Sequence, residues 1–214
     1  DRLSSGTSAM DIQYPATEEL HSFAQMLGQR LAEMHELLAS DTRSKRFGVA
    51  DISKADLTTL LDKALTDWQA AMEVIAQQGK QPHVADWFKS NSKLLQKSLK
   101  QLAQKIQGGI RMRIHGNLSL LQVLVVRGDA WFVNFDGEPT ELSQLYQSPL
   151  KDVADLLCGF DDAAALATRN APAADTPVES EKLWALSASF SQKARTAFYD
   201  SYRRHQKLLH NWRH

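Results

Sequence analysis

The stretch whose reading decides the fold runs Arg113-Ile114-His115-Gly116-Asn117-Leu118-Ser119-Leu120-Leu121-Gln122-Val123-Leu124. It is followed a few residues later by Trp131-Phe132-Val133-Asn134-Phe135-Asp136-Gly137-Glu138-Pro139. Two apolar runs, Leu120–Val126 and Ala130–Val133, flank Arg127-Gly128-Asp129. Gly-Asp supplies the unusual backbone angles of a tight turn, so the pair of runs predicts a short β-hairpin. Polar residues collect at its two ends, in a His-Gly loop before it and an Asn-Phe-Asp-Gly loop after it.

Outward from this hairpin the periodicity is helical. On the N-terminal side, Leu20, Phe23, Ala24, Leu27, Leu31, Met34 and Leu38 recur at three- and four-residue steps, predicting a helix from Thr17, as N-cap, to about Ala39. Residues 1–16, rich in Ser, Gly and Thr and containing Pro15, predict an irregular lead-in. Ser53 with Asp56 makes a capping-box-like start for a second helix, whose stripe of Leu57, Leu60, Leu61, Ala64, Leu65, Trp68, Met72 and Ile75 stops at Gln77-Gln78-Gly79. Pro82 opens a third, with Val84, Trp87, Phe88, Leu94, Leu95, Leu102 and Ile106 as its buried side and Gly108-Gly109 as its stop.

On the C-terminal side, Ser148-Pro149 reads as N-cap and first residue of a fourth helix through Val153, Leu156, Leu157 and Phe160. Residues 170–180 hold two prolines among small residues and predict a surface connection. A last helix from about Glu181 to Leu209 carries Leu183, Trp184, Leu186, Phe190, Ala194, Phe198 and Tyr202. The fold class is therefore mainly α with a small β-hairpin. The aromatic residues Trp68, Trp87, Phe88, Trp184 and Phe190 fall on helical stripes, which predicts core packing, with a sugar-ring platform as their alternative use.

Composition narrows the function. With 214 residues the chain can hold one sizeable core, and residues 17–214 are read as a single domain. Twenty-five basic residues balance twenty-five acidic ones, and neither sign forms a run that could track a phosphate backbone, which argues against nucleic acid as a partner. No stretch approaches the roughly 18 apolar residues of a membrane span. The single cysteine, Cys158, beside Leu157 on the apolar side of its helix, predicts a small buried hydrophobe and fits a reducing cytoplasm. His205, His210 and His214 have a spacing that a metal could use, but no carboxylate or cysteine completes the set, so a solvated terminus is the reading.

The two loops and the segment after them closely resemble the maltokinase family, which shares the aminoglycoside-phosphotransferase type of protein-kinase-like fold and which bacteria often carry fused behind trehalose synthase. The family pattern is approximately R-I-H-G-D-x-H-x-x-Q-V-L, then F-x-x-D-F-E-G-E-P, then S-P-L-R-D-V-A. This chain has RIHGNLSLLQVL, FVNFDGEP and SPLKDVADLL in the same order and spacing. Leu27-Gly28-Gln29-Arg30-Leu31-Ala32-Glu33-Met34-His35 resembles the family's L-G-x-R-T-A-E-L-H helix, so the resemblance covers about residues 20–165. It implies that the chain is the C-terminal lobe of such a fold. No strand-rich segment or Gly-rich phosphate loop precedes residue 80, so the N-terminal nucleotide lobe is read as absent.

The resemblance also implies a site, and the departures from it set the functional expectation. Asn117 stands at the family's catalytic Asp position, Ser119 at its second His, and Asn134 at a magnesium-binding Asp. His115 belongs to the same loop and orients it through its ring. Gln122, Asn134, Asp136 and Glu138 are the candidate metal ligands. Asp152 sits in the first turn of a helix, where a carboxylate suits the helix dipole, and the resemblance adds that it braces the catalytic loop. An amide at position 117 is not a useful base, so the acid–base share of phosphoryl transfer, about 10²–10⁴-fold, is lost.

The expectation is a catalytically inactive maltokinase-like domain of a trehalose synthase-related, cytoplasmic bacterial protein. It would bind or assemble, with maltose or a related α-glucoside and a trehalose synthase domain as partners and with no cofactor of its own. The alternatives are a kinase using Mg and ATP once a nucleotide lobe is supplied, and a purely structural oligomerisation module.

Overall fold

A computed structural model describes residues 9–40, 48–78, 82–105, 109–135, 146–171 and 177–208. Its elements in chain order are α1 (Ala9–Ala39), β1 (Ala50–Asp51), α2 (Lys54–Gln78), α3 (Pro82–Lys105), β2 (Ile110–Arg113), a 3-10 turn (Leu120–Gln122), β3 (Val123–Val126), β4 (Asp129–Phe132), β5 (Tyr146–Gln147), α4 (Leu150–Asn170) and α5 (Pro177–His205). They form two compact units, one from the residues up to Val49 together with those from Met112 onward, the other from Ala50–Arg111.

The larger unit is built on α1 and α5, with α4 against α5 and the hairpin against α1. Its core contains Ala24, Leu27, Leu31, Val153, Leu156, Phe160, Ala194, Phe198 and Tyr202, which are the periodic residues of three helices meeting on one side. Gly28 sets how closely α1 and α5 approach. A Cβ added there would lie 2.8 Å from the Tyr202 amide nitrogen and collide with the Phe198 carbonyl. Ser201 Oγ reinforces the contact by donating to the Gln25 carbonyl at 2.7 Å. Asp161 on α4 accepts from Ser191 Oγ and Arg195 Nη1 on α5, each at 2.5 Å.

β3 and β4 form the expected hairpin, with Val123 opposite Phe132 and Val126 opposite Asp129. Its turn is Arg127-Gly128, with φ of 54° and 80°, rather than Gly-Asp. Two successive left-handed residues match the twist of a two-residue hairpin, and Asp129 is thereby released to open β4. There its carboxylate receives Arg30 of α1 in bidentate fashion, at 2.7 and 3.1 Å. The Arg30 guanidinium holds the Asp129 carboxyl below the usual range. The run read as strand from Leu120 begins as a 3-10 turn and becomes strand only at Val123.

In the smaller unit, α2 and α3 form a helical hairpin, and Trp68 meets Phe88 edge-on with ring centroids 5.2 Å apart. Ser53 and Asp56 make the reciprocal cap, at 2.7 Å from the Ser53 amide and 3.2 Å back to Ser53 Oγ. Ala50 pairs with Arg111 and Asp51 with Ile110 in this unit, whereas Met112 and Arg113 pair with Gln147 and Tyr146 in the larger one.

Five local expectations are corrected. α1 begins at Ala9, inside the segment read as irregular and ahead of Thr17, because a proline removes one bond from a helical ladder without ending it. α5 begins at Pro177, not near Glu181. On α3, Trp87, Leu94 and Leu102 are exposed, although they were assigned to its buried side. A helix paired with one neighbour covers only a narrow strip, so its stripe is wider than its contact. Trp184 is likewise 66% exposed, and Cys158 is exposed instead of buried. Ile106 and Gly108 lie outside the described residues, as do His210 and His214. His205 accounts for its Nδ1–H by donation to the Ser201 carbonyl at 2.8 Å. Among the described residues no helix is long and apolar enough to cross a membrane.

The close helix contact yields a sharp expectation. Gly28→Ala must separate two backbones, because the colliding atoms are main-chain atoms of α5 and cannot swing aside. Overpacking of this kind costs about 1–3 kcal/mol, to be read as a lower urea midpoint with an unchanged slope. A wild-type midpoint would refute the account of the contact.

Candidate functional site

The loop carrying the sequence-predicted residues leaves β2 at Ile114, which is fully buried, and returns to the core at Leu118, also buried. The two apolar residues tether a short polar span, His115-Gly116-Asn117, between them. What holds that span is Asp152 in the first turn of α4. Its carboxylate accepts the His115 amide at 2.8 Å on Oδ2 and the Gly116 amide at 2.9 Å on Oδ1. His35 of α1 approaches the same Oδ2 through Nε2 at 3.1 Å, and its Nδ1 lies 3.0 Å from the Tyr202 hydroxyl of α5. All three side chains are buried. Burial pushes the Asp152 carboxyl up, but the hydrogen bonds from His35 and from the two amides outweigh it, and the net direction is down. Burial pushes the Tyr202 phenol upward, with the Asp152 and Tyr199 charges adding to it.

His115 itself is 1% exposed. Its Nε2–H donates to the Val133 carbonyl at 2.9 Å, tying the first loop to the residue before Asn134. The Phe135 ring lies 4.9 Å from the imidazole, tilted by 48°. Nδ1 of His115 is buried without a partner among the described residues. Asn134 is exposed and adopts φ of 63°, a left-handed conformation that Asn tolerates better than most residues. Asn117 is exposed.

Ser119 and Gln122 form a closed pair. Ser119 caps the 3-10 turn by accepting the Leu121 amide at 3.2 Å. Gln122 Oε1 receives both the Ser119 amide, at 2.9 Å, and the Ser119 hydroxyl. The side-chain carbonyl expected to face a metal is thus committed to a capping box. Asp136 and Glu138, the two remaining candidate ligands, lie outside the described residues.

The candidate residues therefore gather at one end of the hairpin, with His115 and Gly116 joined to Asp152 and with Ser119 joined to Gln122. Among the described ones the donor set is Asn117, Gln122 and Asn134, all neutral amides, one of them already engaged. Magnesium prefers charged oxygen ligands, so this set does not fit it. Sequence reasoning gave Asp152 its bracing role but missed His35 and Tyr202. The available signal was a histidine two turns after Gly28 on the buried face of one helix and a hydroxyl-bearing aromatic on the buried face of another. A separate open cleft of about 1040 Å³ lies between α4 and α5, lined by Trp184, Tyr199, Asp161, Gln192 and Arg195 among others, and none of the predicted loop residues lines it.

The fold has known counterparts. Glucosamine kinase in two crystal forms superposes with a TM-score of 0.70 at 19% identity, over 92% and 93% of this chain and 47% of the kinase. Glucosamine kinase in complex with glucosamine, ADP and inorganic phosphate gives 0.69 at 21% identity, over 98% of this chain and 44% of the other. The chain thus has a kinase-like fold and spans less than half the length of the glucosamine kinases it matches. The sequence matches no protein-family model and no curated protein.

The depressed Asp152 carboxyl predicts the direction of acid sensitivity. A group whose folded value lies below its unfolded value stabilises fully above the unfolded value, about 3.9, and loses that contribution as pH falls through the folded one. Stability should stay level from neutrality to about pH 4 and decline below it. Asp152→Asn should cost about 2–4 kcal/mol at pH 7, because the amide that replaces one oxygen turns an N–H toward a donor, and should flatten the acid limb. Urea titrations across pH measure both, and an unchanged acid limb would contradict the bracing role.

Proposed function

We propose that this chain is a catalytically inactive, maltokinase-like domain of a trehalose synthase-related protein, retaining a sugar-binding or assembly role in maltose, trehalose or α-glucan metabolism. The observation that carries it is the contrast within one site. The loop frame built on Asp152 is intact, yet the positions that would carry negative charge at 117 and 134 are amides and Gln122 is engaged by Ser119. A frame maintained without its carboxylates suits recognition better than phosphoryl transfer, which depends on charge neutralisation around the phosphate. The resemblance of the loops to maltokinases supplies maltose or a related α-glucoside as ligand. The glucosamine complex of a fold neighbour supports a sugar of that general size.

A second reading, an ATP-dependent kinase completed by a separate nucleotide lobe, is favoured by the same intact frame and by the greater length of the fold neighbours. Its charged ligands would be Asp136 and Glu138.

Calorimetric titration of the chain and of its full-length parent with maltose, beside an assay for maltose 1-phosphate with MgATP, separates the readings. Saturable heat without sugar phosphate is expected. Sugar phosphate from the parent that disappears in Glu138→Ala would overturn the inactive reading. Absence of heat at millimolar maltose would leave assembly as the role, and Trp184→Ala tells whether any heat arises in the α4–α5 cleft. Asn117→Asp combined with Asn134→Asp should raise magnesium affinity at least tenfold, since two charged oxygens replace amides. No gain would mean that the loops do not keep ligand geometry.

A further inference from the structure

The Asp152 brace has a second tier. Tyr202 stands in the last turn of α5, is 2% exposed, and has a phenol proton that burial keeps in place. The partner found for that hydroxyl is His35 Nδ1, at 3.0 Å. A proton donated to Nδ1 requires a lone pair there, so the ring hydrogen of a neutral imidazole sits on Nε2. Nε2 faces Asp152 Oδ2 at 3.1 Å, and a carboxylate can only accept. One tautomer of the neutral ring, with its hydrogen on Nε2, satisfies both contacts, and in it the donors run from the Tyr202 hydroxyl through His35 to Asp152. Asp152 in turn collects the amides of His115 and Gly116. His115 passes the linkage on to Val133, the residue before Asn134.

We propose that His35 and Tyr202 are positioning residues that tie the last turn of α5 to the His115–Asn117 loop through the Asp152 carboxylate, so that displacement of that turn loosens the loop. The relay goes beyond the reading above, because it acts on the loop whether that loop recognises a sugar or takes part in chemistry. Its geometry also gives Gly28 a role at a distance. By letting α5 approach α1 two turns away from His35, Gly28 brings the Tyr202 backbone to the depth at which the hydroxyl reaches the imidazole. Mechanical or ligand-driven movement at the end of α5 is then transmitted as a lost hydrogen bond rather than as a general loosening of the core.

The decisive variant is Tyr202→Phe, which removes one oxygen and keeps the ring. Tyr199→Phe, on the same helix but 44% exposed, is its control. Amide hydrogen exchange and ring-nitrogen NMR are measured on both and on wild type. In wild type, His35 should show a protonated Nε2 and an unprotonated Nδ1. In Tyr202→Phe, exchange at Gly116 and His115 should accelerate on the order of five- to tenfold, the effect of one buried hydrogen bond. The amides of Leu27 and Leu31 in α1 should accelerate less, and the His35 nitrogens should shift. Tyr199→Phe should leave all of these at wild-type values.

Equal acceleration at Gly116 and Leu27 would show that the hydroxyl merely stabilises the core, and unchanged exchange at Gly116 would show no linkage. Either result overturns the proposal. If Tyr202→Phe fails to fold, the wild-type spectrum still decides, because a protonated Nδ1 with a bare Nε2 on His35 is incompatible with the relay.

Discussion

The buried carboxylate of Asp152 is the constraint on which the larger unit turns. A charge this deep is costly unless both of its oxygens are hydrogen-bonded. Here it is answered by two consecutive backbone amides and an imidazole, drawn from a loop and from α1, while the carboxylate itself stands on α4. Because two separate pieces of chain supply the donors and a third carries the carboxylate, none can move without leaving the charge exposed to an apolar core. That coupling fixes the path of residues 115–117 more tightly than their own sequence could.

Around this centre the remaining contacts divide the labour. Gly28 lets α1 and α5 touch backbone to backbone, Ser201 ties them by a hydrogen bond, and Tyr202 completes the shell of His35. Arg30 grips Asp129 and seats the hairpin on α1. The hairpin in turn presents the Val133 carbonyl to His115. The polar ends of the hairpin are therefore held from both sides, by α4 through Asp152 and by β4 through Val133. This scaffold holds a short polar loop on which Asn117 is exposed, with Asn134 exposed beyond the hairpin. The fold is shared with part of the glucosamine kinases, at 19–21% identity.

Much of the fold was legible. Apolar steps of three and four residues located all five helices, and Ser53 with Asp56 and Pro82 marked two starts correctly, since caps are local chemistry. The hairpin was visible from two apolar runs around a glycine. Where the reading slipped, it did so on non-local grounds. Trp87, Leu94, Leu102 and Trp184 lie on apolar stripes yet are exposed, because a stripe says which face is oily and not whether another element covers it. Cys158 followed the same error. Gln122 looked like a metal ligand by position, and only the folded turn shows its carbonyl spent on Ser119.

By itself the sequence determined what depends on neighbours in the chain: the five helical segments of the described residues, a hairpin turning near Gly128, the Ser53–Asp56 cap, and the polar composition of the two loops with amides at 117 and 134. The tertiary structure alone decided what depends on residues far apart. It joined His35, Asp152 and Tyr202, separated by 117 and 167 positions from His35, into one buried relay. It also divided the chain into two units at residues 49/50 and 111/112. The physical reason is that a buried charge selects its partners by distance in space after the helices pack, and no local periodicity encodes which polar groups will meet there.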